Sequence, residues 1–314
     1  MASSVQSREP IPDRALSSWQ LRSRTLQLGR RTLVMGVVNI TPDSFSDGGS
    51  FLDTNAAVAH AMQLFAEGAD LLDLGAESTR PGSNAGGAAP AVSADEEQAR
   101  LLPVLAGILK AQPHAVLSVD TYKAATARAA LAAGAEIIND VSGFTWDSAL
   151  PEICAQARCG VILMHTRGRP EEWRTQPQLA PDALLDTVRL GLAQSLSLAN
   201  TAGIPPQAVV LDPGYGFGKR LNENFTLLAR QRELLVLGCP LLAGLSRKSF
   251  LGHALAEFHA GRPAPTHARE TASIAALVAA ILNGASIVRA HNVRPAVEAA
   301  RIADAILAAP NTAG

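Results

Sequence analysis

The sequence predicts an α/β protein folded as a single (β/α)8 barrel, the TIM-barrel arrangement, with a short N-terminal extension. Three observations point there. Eight short apolar runs recur between residues 33 and 290, each followed by a stretch with helical spacing. The runs are continuously apolar rather than alternating, as strands buried on both faces of a parallel sheet must be. Nearly every run ends on a polar or charged side chain, as in folds whose ligands sit at the carboxyl ends of strands. Eight units within about 280 residues fit a closed barrel better than an open doubly wound sheet, which stands as the alternative.

The elements follow in order. A short strand is expected at 25–28, and the first barrel strand at 33–38 (LVMGVV), delivering Asn39 to its tip. The polar loop 41–49 (TPDSFSDGG) has neither a helical nor a strand period. Apolar spacing at Ala57, Ala61, Leu64 and Phe65 predicts a helix closed by Gly68. A strand at 69–75 (ADLLDLG) leads into the loop AESTRPGSNAGG. Ser93 with Glu96 three residues on is a capping-box signature, opening a helix to about residue 110. Strands at 115–120 (AVLSVD) and 135–140 (AEIIND) flank a helix over 122–133. A helix over 148–157 precedes the strand 160–165 (GVILMH), and the longest helix runs over 181–202. The strand 208–212 (AVVLD) opens into PGYGFGK, followed by a helix over 224–237 and the strand 240–246 (PLLAGLS). An Ala-rich helix over 269–283 precedes the last strand, 285–290 (ASIVRA), and Pro295 begins the final helix, a favoured first-turn position. No linker-like stretch interrupts the series, so 25–310 read as one domain and 1–24 as a disordered tail.

Composition narrows the chemistry. A net charge of −1 without a long basic run argues against nucleic acid or an anionic membrane as partner. No run approaches the roughly eighteen apolar residues of a spanning helix, and no secretory signal is evident at the start. The three cysteines show no metal-ligand pattern, and a reducing cytoplasm is the expected setting. Cys154 and Cys159 read as small apolar residues near a helix end.

The strand ends gather Asn39, Asp73 with Glu77, Asp120, Asn139 with Asp140, His165, Asp212, Ser246 with Arg247 and Lys248, and Arg289 with His291. Helix capping would explain one of these, but caps favour Ser, Thr, Asp and Asn and do not call for Lys, Arg and His as well. Carboxylates at Asp120 and Asp212 beside an amide and a lysine suit a flat heterocycle with donors and acceptors on its edge. An ionised carboxylate accepts two N–H groups from a guanidine-like edge. Arg80, Arg289 and His291 form a cationic subset suited to a phosphate or diphosphate. Asn39 offers a neutral oxygen to a Mg²⁺ ion that keeps most of its waters. GYGFGK fails as a phosphate loop, with Pro213 where glycine is needed and Arg220 where Ser or Thr is needed. The remaining histidines (His60, His114, His253, His259, His267) read as ordinary surface or boundary residues.

At these residues the sequence resembles the dihydropteroate synthase family. The matching segments are MGVVNITPDSFSDGG, DLGAESTRPGS, SVDTYK, INDVSG, LMHTRG, LDPGYGFGK, GLSRKSFLG and VRAHNV, in the family's order. The resemblance implies a TIM barrel that joins 7,8-dihydropterin-6-ylmethyl diphosphate to 4-aminobenzoate, with Mg²⁺, commonly as a homodimer. It implies that Asp120, Asn139, Asp212 and Lys248 hold the pterin edge, with Met164 and Phe217 as apolar contacts. Arg289 stacks on the pterin face and, with His291 and Asn39, holds the diphosphate. Thr79, Arg80, Pro81, Ser246 and the loop around Phe45 shape the aminobenzoate site. Lys248, Arg289 and Asp212 are the catalytic candidates. Asn292, where the family commonly has Asp, and Tyr215, where Phe is common, are departures beside these positions. The alternatives are a pterin-dependent methyltransferase barrel, a non-catalytic pterin-binding protein, and an aldolase-type barrel using Lys248 as a Schiff base.

Overall fold

The computed structural model describes residues 16–40, 50–77 and 92–309, leaving aside the side chains of 50–53. Ten strands and nine α-helices lie within these residues. A two-stranded antiparallel hairpin, β1 (Ser17–Gln20) with β2 (Thr25–Leu28), precedes the barrel. The barrel strands are β3 (Leu33–Asn39), β4 (Leu71–Gly75), β5 (Leu117–Asp120), β6 (Ile137–Asp140), β7 (Gly160–Met164), β8 (Val209–Asp212), β9 (Leu241–Gly244) and β10 (Ala285–Ala290). All pairings between them are parallel, and β10 pairs with β3 to close the ring.

Around the ring lie α1 (Ser50–Glu67), α2 (Ala94–Ala111), α3 (Ala124–Ala132), α4 (Leu150–Ala157), α5 (Pro181–Thr201), α6 (Leu221–Ala229), α7 (Ser249–Ala254), α8 (Glu270–Leu282) and α9 (Val293–Ala308). The capping box at Ser93 forms in full: its hydroxyl accepts the Glu96 N–H at 3.2 Å, and the Glu96 carboxylate accepts the Ser93 N–H at 2.9 Å. No helix among the described residues is long and apolar enough to cross a membrane.

Because successive strand residues face opposite ways, each strand serves two layers. The outward residues (Val34, Val38, Leu72, Leu74, Val119, Ile138, Leu163 and their like) pack against the helices in one large core. The inward residues Leu33, Met35, Leu71, Ile137, Ile162, Val210, Leu242 and Ile287 form a second core filling the lower barrel. The hairpin plugs that end with Trp19, Leu21 and Leu28, and the Trp19 indole N–H donates to the Ala208 carbonyl at 3.0 Å.

Several sequence expectations shift. The tail was set to end at 24, but order extends to the strand Ser17–Gln20, whose Trp19 is completely buried. Residues 1–15 lie outside the described part. The helix expected over 224–237 is two pieces, α6 and a 3-10 segment Gln231–Leu237. The helix α7 was not anticipated, and Pro295 falls on the third residue of α9 rather than the first. Cys154 and Cys159 are buried free thiols at the end of α4.

Candidate active site

The inward face of each strand changes character on the way up. Leu71 is followed two residues on by Asp73 and then Gly75, Ile137 by Asn139, Val210 by Asp212, and Ile287 by Arg289 and His291. Two-residue alternation thus lifts a polar set onto the carboxyl end of an apolar plug. Strand register puts four of these positions side by side, pairing Asn39 with Gly75, Gly75 with Asp120, and Asp120 with Asn139. On the neighbouring strands β7 and β8, Met164 pairs with Asp212.

A buried network ties the floor together. Asp73, with no exposed surface, accepts from the Arg289 Nε at 2.6 Å, the Asn139 amide at 3.0 Å and the Ser118 hydroxyl at 2.7 Å. The Arg289 Nη2 also reaches Asp120 at 3.2 Å. Burial and the neighbouring negative charge of Asp73 push the Asp120 carboxyl up to about 7, with Arg289 opposing. Burial likewise raises Asp212, while the Gly214 N–H that its carboxylate accepts at 2.7 Å pulls the other way.

Lys248 follows β9 as the residue before α7, with its Nζ 3.9 Å from the centre of the Phe217 ring. Burial brings its pKa down to about 8, with Asp212 opposing. The lysine is therefore partly desolvated. Phe217 and Trp146 pack against an apolar cluster of Tyr122, Val141 and Met164, which walls one side of the mouth. The imidazole of His291 lies 3.0 Å from the Ser246 hydroxyl. The mouth can thus present carboxylates, an amide and a lysine to a planar edge, an apolar wall to its face, and a guanidinium with an imidazole to an anion.

Three residues grouped with this set by sequence lie elsewhere. Asp140, adjacent to inward-facing Asn139, faces out of the barrel and accepts the N–H groups of Ser142 (2.8 Å) and Phe144 (2.6 Å). His165 packs behind β7, close against Gly191 of α5. Glu77 pairs with Lys123 at 2.5 Å, and Lys123 also meets buried Glu97 at 3.2 Å. Thr79, Arg80, Pro81 and Phe45 lie outside the described residues. Asp73 is the hub that sequence reasoning placed at a strand end without a role; its signal was a charge in the middle of an apolar run.

A model of the pterin binding enzyme family matches residues 35–291, which span the barrel from β3 to the end of the mouth residues. The chain belongs to the dihydropteroate synthases. It is 39% identical to the dihydropteroate synthase of Synechocystis, over 88% of this chain and 91% of that protein. It is 38% identical to the mitochondrial folate synthesis bifunctional protein of pea, covering 90% of this chain and spanning about half (55%) of that longer protein. Among solved structures, the Xanthomonas albilineans dihydropteroate synthase with 4-aminobenzoic acid superposes with a TM-score of 0.80 at 40% identity, over 94% of this chain and all (100%) of that one. The same enzyme with 7,8-dihydropteroate gives 0.79 at 37% identity, over 93% and 100%. In this dihydropteroate synthase chain Asp120, Asn139, Asp212, Lys248 and Arg289, the positions that the sequence resemblance assigned to the pterin, lie around one mouth.

Proposed function

We infer that this mouth performs the dihydropteroate synthase reaction of folate biosynthesis by a dissociative substitution. The C–O bond to the diphosphate breaks first, leaving a cation on the methylene carbon that the electron-rich dihydropterin delocalises. The aryl amine of 4-aminobenzoate then forms the new C–N bond and loses one proton to the departing diphosphate or to solvent. A neutral aryl amine is already nucleophilic, so no strong base is required. The observation that carries this reading is the charge layout: carboxylates and an amide line one side of the mouth, while Arg289 stands on the strand that closes it and His291 directly follows that strand.

Asp120, Asn139, Asp212 and Lys248 would hold the pterin edge, with Met164 and Phe217 against its face. Of the two Arg289 ion pairs, the 2.6 Å bond to Asp73 anchors the guanidinium and the 3.2 Å contact to Asp120 is the one a pterin edge would displace. Arg289 and His291 then stabilise developing negative charge on the leaving group. Arg80, Thr79, Pro81, Ser246 and Phe45 are assigned to the diphosphate and aminobenzoate side.

Among the described residues no group of three His, Cys, Asp or Glu is arranged to hold a metal. A Mg²⁺ ion brought in with the diphosphate would take one neutral oxygen from Asn39 and most of its other ligands from water. When bound, the ion would offset the negative charge of the leaving group.

Lys248→Ala and Arg289→Ala test these roles. Each should lower kcat/KM by about 100-fold or more, the usual scale for losing a group that meets developing charge. Near-wild-type turnover in either would refute its assignment. The protein is further proposed to be a cytoplasmic transferase acting as a homodimer, with the Ala-rich α8 and α9 as the contact face. On α9, Ile302 and Ile306 are 64% and 54% exposed. Light scattering should return twice the chain mass of 32.7 kDa; a monomer at micromolar concentration would contradict it.

A further inference from the structure

The loop after β8 ends on Lys219, a lysine that the reaction does not use. Its side chain is 93% buried (7% exposed), and its Nζ donates to three backbone carbonyls: Gly214 at 2.7 Å, His165 at 3.1 Å and Phe217 at 3.3 Å. An ammonium carries three hydrogens and no lone pair, so donors and acceptors match one for one. Among the described residues Lys219 makes no ion pair within 4 Å. A buried cation without a carboxylate partner is costly, and burial lowers its pKa to about 7. The charge therefore serves the backbone.

Two of the three carbonyls belong to the lysine's own loop, and the third belongs to the residue after β7. The loop can converge this tightly because Gly214 and Gly218 take left-handed backbone (φ 71° and 70°). A Cβ on Gly214 would overlap the His165 carbonyl, and one on Gly218 would press on Arg167. The cradle is joined directly to the site. Gly214 gives its carbonyl to Lys219 and its N–H to the Asp212 carboxylate. Phe217 gives its carbonyl to Lys219, while its ring lies under the Lys248 Nζ and edge-on to Trp173, 5.0 Å between ring centres.

We propose that Lys219 is a positioning residue for the pterin side of the site, gathering three carbonyls onto one ammonium so that Phe217 is held beneath Lys248 and the Gly214 N–H against the Asp212 carboxylate. The inference deepens the dihydropteroate synthase reading and rests on it for the identity of the ligand.

The test uses full-length Lys219→Gln and Lys219→Met, with both substrates varied in the steady state. The KM for the dihydropterin diphosphate should rise about tenfold while that for 4-aminobenzoate stays within about twofold. Trp173 emission should shift as the Phe217 edge leaves it. Tyr215→Phe is the control, because it removes a buried hydrogen bond from the same loop (Tyr215 Oη to Gln231, 2.6 Å) without touching the cradle. It should leave both KM values within about twofold. Combining Lys219→Gln with Phe217→Ala should raise the pterin KM no further than Phe217→Ala alone. Equal rises in both KM values, an additive double variant, or the same pterin effect from Tyr215→Phe would overturn the proposal. Should neither Lys219 variant fold, Lys219→Arg carries the test by the same split between the two KM values. If wild-type protein turns over neither substrate, the reaction reading fails; Trp173 emission then still decides the loop's dependence on Lys219, and unchanged emission refutes it.

Discussion

In the proposed reaction Asp120 and Lys248 are assigned to the pterin edge, with charges that burial opposes. Burial and the charge on Asp73 raise Asp120 to about 7, and burial lowers Lys248 to about 8. Asp120 accepts both N–H groups of a guanidine-like edge only when ionised, so kcat/KM for the dihydropterin diphosphate should rise as pH climbs through about 7. Lys248 donates as an ammonium, so the same quantity should fall through about 8. A pH profile of kcat/KM checks both limbs; Asp120→Asn should abolish the acid limb, and its survival would assign that limb elsewhere. These residues were legible in the sequence because each is a polar letter closing an apolar run. Asp140 was misplaced because two adjacent strand residues cannot face the same way. Counting by twos from the apolar letters below would have sent Asn139 inward and Asp140 outward. Asp73 was readable by the same count, but its three partners come from β5, β6 and β10, and no local pattern announces them.

At the scale of the element, the barrel strands were readable because double burial leaves little besides Val, Ile, Leu, Ala and Gly to see. What escaped were pieces stabilised by distant contacts. The strand β1 is four residues, SSWQ, whose place is fixed by Trp19 closing the barrel floor. The break between α6 and the following 3-10 segment carries no Pro or Gly that would mark it, and the short helix α7 has Gly252 inside it. Trp19→Ala should destabilise the fold by about 3–5 kcal/mol, the usual cost of emptying a large core aromatic site. Because the plug is at the opposite end from the mouth, kcat and both KM values of the folded protein should hold. Urea unfolding paired with kinetics measures both; a stability unchanged within error would mean that the hairpin does not close the core.

Taken whole, the molecule is one barrel with two ends of opposite chemistry, an apolar plug below and a charged cup above, joined by strands that run through both. That arrangement explains why eight separate segments of sequence pointed to one reaction: each supplies a side chain to the same ring at the position its strand ends. The loops 41–49 and 78–91, with Phe45, Thr79, Arg80 and Pro81, lie outside the described residues and keep their roles as proposals. The central claim is that this mouth expels diphosphate first and the aryl amine then captures the cation, so that net turnover needs both substrates. The most direct test is diphosphate release by the purified protein, supplied with the dihydropterin diphosphate and Mg²⁺, with and without 4-aminobenzoate. The account predicts release that depends on aminobenzoate and matches dihydropteroate formed one for one. Tight pterin binding without release under both conditions would contradict it, leaving a barrel that binds pterin and catalyses something else or nothing.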